Sequence, residues 1–218
     1  MLEQFVAAGY HEPLCAGKVS AMREEFLVTG HFYMTNGYKF RKTLDICTAG
    51  NELGKPDLMV VMMNPGSSRP VNGVDDSRTS MVAIPDKTQD QIMKVMITAG
   101  FEYARVLNLS DLRTSNSNEL YEFLQSSNSN MVEHSIFHPG RESEYAELFV
   151  NNVPVIYAWG VHEALKPLAL AAIRKIEHPN PAGWKKKGSS YGYYHPLPPS
   201  TPKQVEWVER ITGMLSGT

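Results

Sequence analysis

Cysteine is nearly absent: Cys15 and Cys47 are the only two in 218 residues. That excludes a disulfide framework, a four-cysteine zinc site and a four-cysteine iron–sulfur cluster, and both side chains read as reduced thiols. Long apolar runs are missing too. No stretch approaches the roughly 20 residues that span a bilayer, and the opening MLEQFVAAGYHEP has neither a basic leader nor a sustained apolar core. A cytoplasmic protein with no membrane partner is expected. Charge of one sign is also lacking. The 21 Lys/Arg face 23 Asp/Glu for a net charge of −2, which argues against an obligate, sequence-independent binder of nucleic acid. The balance is uneven, however: from Val153 to Thr218 eight basic residues stand against four acidic ones, leaving 13 against 19 elsewhere. An anionic ligand is therefore expected towards the C-terminal third.

Several chemical signatures are absent as well. There is no G-x-x-x-x-G-K-[ST], and NPGSSRPVNG lacks the G-x-G-x-x-G spacing that lets backbone wrap a pyrophosphate, so no nucleotide cofactor is expected. No H-E-x-x-H or close His/Cys cluster points to a metal. No G-x-S-x-G elbow presents a nucleophile. Ser67 and Ser68 do follow an apolar run, so a serine hydrolase working with a loop histidine is a rival of atypical arrangement.

What is present is the patterning of a single domain over residues 1–218, with 1–45 as a helical and hairpin extension. Residues 1–30 carry apolar positions at helical spacing, broken around Pro13. Asn36-Gly37, between β-prone segments, predicts a hairpin over about 32–47, because the tight turn needs positive φ at both central residues. Three apolar runs, DLMVVMMN (57–64), ARVLNL (104–109) and VPVIYAWG (153–160), read as buried parallel strands. Helical patterns lie between them at 89–100, 117–125 and 142–152. A fourth strand is expected around Arg174–His178, and a last helix that opens with Thr201 as its N-cap and Pro202 at the first helical position. The expected fold class is α/β, a three-layer α/β/α sandwich with a central, mainly parallel four-stranded sheet. Two long loops, 66–88 and 178–200, fall near the carboxyl edge, where open α/β sheets bind ligands.

The candidate site residues sit at strand ends and in those loops. Asn64 and Asn108 each end a strand. Either amide can cap the following turn, or the two can face one pocket, where an amide positions a water or reads a heterocycle edge. His178-Pro179 and His195-Pro196 flank WKKKGSSYGYY. Lys185, Lys186 and Lys187, with Tyr191 and Tyr193, suit phosphate contact and base stacking, though a lysine run also reads as a solvated turn.

Four of these pieces, in order, resemble the uracil-DNA glycosylase superfamily. MMNPGSS resembles the Gly-x-Asn-Pro-Gly strand end of its mismatch-specific branch, with Met62 where the family usually has Gly. RVLNLSDLRT resembles the second-strand segment, in which Asn108 matches the Asn that reads a flipped pyrimidine. VIYAWGVHEALKP resembles the third strand and its Trp-Gly turn, and HPNPAG and HPLPPS both resemble the His-Pro-Ser-Pro motif. The same order is similar to a bacterial and phage domain family with NPS, NL, AWG and HPL landmarks and an Asp-x-Thr before a helix, here PDKT. The resemblance covers about 45–218. It implies a cofactor-independent, monofunctional DNA glycosylase that flips a damaged or modified base from DNA and leaves an abasic site, in repair or phage defence. In that picture Asn64 orients water, since the activating Asp of the uracil-specific branch is Asn here, and His178 or His195 donates to the departing base. Asn108 reads the base, and Pro65, Gly66 and Ser67 turn beneath it. A non-catalytic nucleic-acid or nucleotide-binding module on the same fold is the main rival.

Overall fold

The computed structural model describes residues 16–76 and 79–217; the first half of the expected helix over 1–30 lies outside them. Its described part splits. Ala16–Glu24 is helical (α1), but the chain then enters the first strand, β1 (Phe26–Thr35), which turns through Asn36 and Gly37, both at positive φ (50° and 76°), into β2 (Tyr38–Thr48). The hairpin is therefore the one that the Asn-Gly pair demands. It sits well inside the sheet.

The remaining elements run β3 (Leu58–Met62), β4 (Arg69–Pro70), β5 (Met81–Ile84), α2 (Lys87–Ala99), β6 (Tyr103–Asn108), α3 (Ser117–Gln125), α4 (Glu142–Leu148), β7 (Val155–Ala158), α5 (Lys166–Ile176) and α6 (Thr201–Leu215). The strands form one seven-stranded sheet in the order β4-β5-β1-β2-β6-β3-β7. Only the β6–β3 and β3–β7 pairs are parallel; β1–β2, β1–β5, β2–β6 and β4–β5 are antiparallel. The expected mainly parallel four-stranded sandwich is thus corrected to an α/β protein with a mixed, mostly antiparallel sheet and six α-helices among the described residues. The reason is that the hairpin joins β6 edge to edge, as Leu44 with Val106 and Ile46 with Ala104, and that part of the 66–88 loop is strand.

The fourth strand is also misplaced by the sequence reading. Arg174–Ile176 is the last turn of α5, which Glu177 ends in the left-handed region at φ 48°. Ala182 takes the place beside β7 instead, through an isolated parallel bridge to Ile156.

β3 is buried along its whole length because both sheet faces are covered, which explains its unbroken apolar run. Leu58, Val60 and Met62 face α2 and α6, with Ile92, Met96, Trp207 and Ile211. Met59 and Val61 face the opposite cluster, with Leu120 of α3 and Ala169 and Ala172 of α5. Asp86 caps α2 and Gln89 returns the bond, a capping box that starts the helix at the mouth of the sheet. α6 is held by fully buried Trp207, whose Nε1 donates to the Tyr194 carbonyl at 3.1 Å and so ties the 178–200 loop to the core.

Trp207→Ala is expected to destabilise the protein by about 3–5 kcal/mol. A urea titration should show a lower midpoint with an unchanged slope.

Candidate active site

The carboxyl end of β3 leads into Asn64, whose side chain turns onto the neighbouring loop. Its Nδ2 donates to the carbonyls of Leu112 (3.2 Å) and Thr114 (2.7 Å), which leaves Oδ1 as the polar atom still open. Pro65 is buried. Gly66 then takes φ 64°, and a Cβ there would meet Asp86 Oδ2 at 2.7 Å, so only glycine fits both the left-handed backbone and the carboxylate against it. That same Oδ2 accepts from the Ser67 amide at 3.3 Å. Oδ1 accepts from the amides of Thr88 (2.8 Å) and Gln89 (3.3 Å) at the start of α2.

Across from this loop stands His195. Its Nδ1 accepts from the Leu197 amide at 3.2 Å, which puts the ring proton on Nε2. Burial pulls the imidazole down to about 4, against the opposing pull of Asp86, so at neutral pH it is an uncharged N–H donor. Asn64, Gly66, Ser67, Asp86, Thr114 and His195 line one open cleft of about 470 Å³. Arg23, Arg69 and Lys87 border it, with Arg23 already engaged by the Asp90 carboxylate at 2.7 and 2.9 Å. The cleft therefore joins an acceptor, a carboxylate and a neutral donor under a positive rim.

Other expected residues lie elsewhere. His178 lines a different pocket with Asn151, Pro154 and Ile176 at the amino end of the parallel strands, because the chain reaches it before Ala182 enters the sheet. Of the two histidines only His195 joins Asn64. Asn108 is fully buried at the end of β6, off the cleft wall, and neither amide atom has a hydrogen-bond partner. Tyr191 and Tyr193, expected to stack bases, are buried too, so neither ring is open to a base. Tyr193 packs edge-on against Tyr157 and Trp159, and Tyr191 donates to Glu163 at 3.0 Å. Lys185, Lys186 and Lys187 are exposed on the turn outside this aromatic cluster and do not line the cleft. Ser67 is exposed and Ser68 fully buried, and among the described residues no hydrogen bond joins either to a histidine.

Asp86 is the residue that the strand-end argument missed. The D-x-x-Q spacing of DKTQ before an apolar helix was its signal, since a capping carboxylate must stand at the helix start.

Residues 48–197 match the family described as "Protein of unknown function (DUF1643)". The chain belongs to that family. Asn64, Asp86, Asn108 and His195 all fall in the matched span, which begins at the last residue of β2 and stops short of α6. No curated protein and no solved structure matches the chain. The comparisons thus reach a domain family of unknown function, and no link to uracil-DNA glycosylases is among them.

Two outcomes follow from this geometry. Gly66→Ala should lose about 1–3 kcal/mol of stability in a denaturant titration, from left-handed backbone and the clash with Asp86. Acid should also weaken the fold between pH 6.5 and 4. His195 and buried His134, each held down to about 4, bind protons in the unfolded chain across that window but not in the native one, so stability falls with pH. Asp111 opposes them. Burial, partly offset by Arg141, raises it to about 6, so its native state takes up a proton first and gains stability as pH falls. Asp111→Asn removes that offset, and the drop in urea midpoint from pH 6.5 to 4 should become steeper than in the wild type.

Proposed function

We propose that the chain hydrolyses the N-glycosidic bond of a damaged or modified base in DNA, with the flipped nucleotide in the Asn64–His195 cleft and an abasic site as product. The observation that supports this most is the convergence of those two side chains, from opposite ends of the family span, on one polar cleft around Asp86. Bond breaking builds positive charge on the sugar and negative charge on the leaving base. The Asp86 carboxylate meets the first charge. The neutral Nε2–H of His195 meets the second without first having to lose a proton.

Asn64 fits the task of placing water. With Nδ2 held by two carbonyls, its Oδ1 can accept from a water O–H but cannot remove a proton, which suffices where the sugar cation is largely formed before attack. The target must leave its stack to reach this depth. An enzyme of this kind serves repair or defence against phage DNA. One observation favours a second reading, a non-catalytic nucleotide-binding module: burial of Tyr191 and Tyr193 removes the aromatic surface on which unpaired bases would stack.

Single-turnover incubation with duplexes carrying uracil, mismatched or hypermodified bases, followed by alkali, separates the two. Strand breaks with at least one duplex are expected. Asn64→Ala and His195→Ala should each slow their appearance by about a hundredfold or more, while His178→Ala leaves it unchanged. Binding of a free nucleotide with no breaks from any duplex would favour the module instead.

A further inference from the structure

Arg41 is a cation without an anion. It lies on β2, has no exposed surface, and among the described residues its sole side-chain hydrogen bond is a long one, Nη1 to the Pro65 carbonyl at 3.4 Å. Nε and Nη2 have no partner, and no carboxylate comes within ion-pair distance among the described residues. Asp86 and Asp111 attract it from further away and Arg113 repels it; burial nonetheless draws the guanidinium down to about 10. A guanidinium sealed in protein with two unmet donor groups carries a large desolvation cost. Natural structures retain such a group where something else completes it.

Its surroundings point to what that is. Arg41 pairs in register with Phe32 and so projects to the α2 and α6 face of the sheet. Asn108, two residues beyond Val106 on β6, projects to the same face with both amide atoms unpartnered. Ser68, three residues after the Pro65 that Arg41 touches, is likewise fully buried with a hydroxyl that meets nothing. The Pro65–Gly66 turn is the layer between these groups and the cleft, since Asn64, Gly66 and Ser67 line its other side. Unmet donors so outnumber acceptors behind that turn.

We propose that Arg41, with Ser68 beside it, is an oxyanion subsite beneath the Asn-Pro-Gly turn, which takes a carboxylate or phosphate group of the molecule held in the adjoining cleft. A planar guanidinium grips two oxygens of such a group in parallel, and a hydroxyl supplies a third donor. The subsite deepens the glycosidase reading by selecting substrates that carry an anionic group near the base, but oxyanion binding itself does not depend on bond cleavage. Arg41 lies on the hairpin strand that precedes the matched span, 48–197.

The test is thermal unfolding of the full chain with inorganic phosphate, against chloride at equal ionic strength, then with deoxyuridine 5′-monophosphate and with 5-carboxydeoxyuridine. Phosphate should raise the melting temperature saturably. The nucleotide that binds more tightly tells whether the subsite takes the sugar phosphate or an acid on the base. Arg41→Met, close in volume and uncharged, should fold and weaken this binding by about 30-fold or more. Should it fail to fold, Ser68→Ala takes its place, with an expected loss of about fivefold. The proposal is overturned if none of the three anions stabilises the wild type beyond chloride, or if the substituted chain binds as the wild type does. Cleavage assays are separate, so binding lost in Arg41→Met without any glycosidase activity would retire the enzyme reading and keep the subsite.

Discussion

The Asp86 carboxylate is the constraint on which the cleft depends. One oxygen closes the first turn of α2 and the other receives the Ser67 amide where a Cβ on Gly66 would stand, so a single side chain fixes the helix start and the Asn-Pro-Gly turn relative to each other. A carboxylate suits that place because the first amides of a helix lack partners and its N-terminus carries partial positive charge. Asn64 completes the frame from the other side, joining the turn to the loop after β6 through two carbonyls. Loops from three parts of the chain are thereby held without an extended core of their own.

This explains why parts of the fold could be read directly from sequence and others could not. The Asn36-Gly37 turn, the buried runs of β3, β6 and β7, and α3 within its expected bounds each rest on a local rule, either positive φ at a tight turn or a periodicity sustained over a whole element. β5 had neither. Only Met81 and Val82 pair with β1, at Gly30 and Thr29, and the four-residue apolar run Met81–Ile84 is too short to carry a period, so the segment read as loop. The fourth strand failed for a different reason. The stretch from Arg174 keeps helical periodicity to Ile176, and only the left-handed Glu177 ends it, a backbone state that no residue type at that position announces.

Site residues divide the same way. Asn64 was legible because an amide at the end of a buried strand must face something. The choice between His178 and His195 was not, because it turns on which side of Ala182 each residue falls, and Ala182 sits beside β7 by a single bridge. The tyrosines misled because aromatic residues between lysines fit a nucleic-acid surface and a small hydrophobic core equally well. Trp159 decided it: its Nε1 donates to the Tyr191 carbonyl at 2.8 Å and draws that segment inward.

Two buried arginines show how differently the same residue can be treated in one fold. Arg141 is met by Asp111 at 2.6 Å and Glu144 at 2.6 Å, and Tyr33 adds a hydrogen bond to the same Asp111 oxygen, so the charge is answered where it stands. Arg41, whose backbone amide donates to the Asp111 carbonyl, shares that neighbourhood yet receives none of its carboxylate oxygens. A purely structural cation would be expected to compete for them, because leaving a charge unpaired costs more than any gain from rigidity. Among the described residues the Arg41 side chain makes its one hydrogen bond to the Pro65 carbonyl, so the turn fixed by Asp86 is the element that joins it to the cleft.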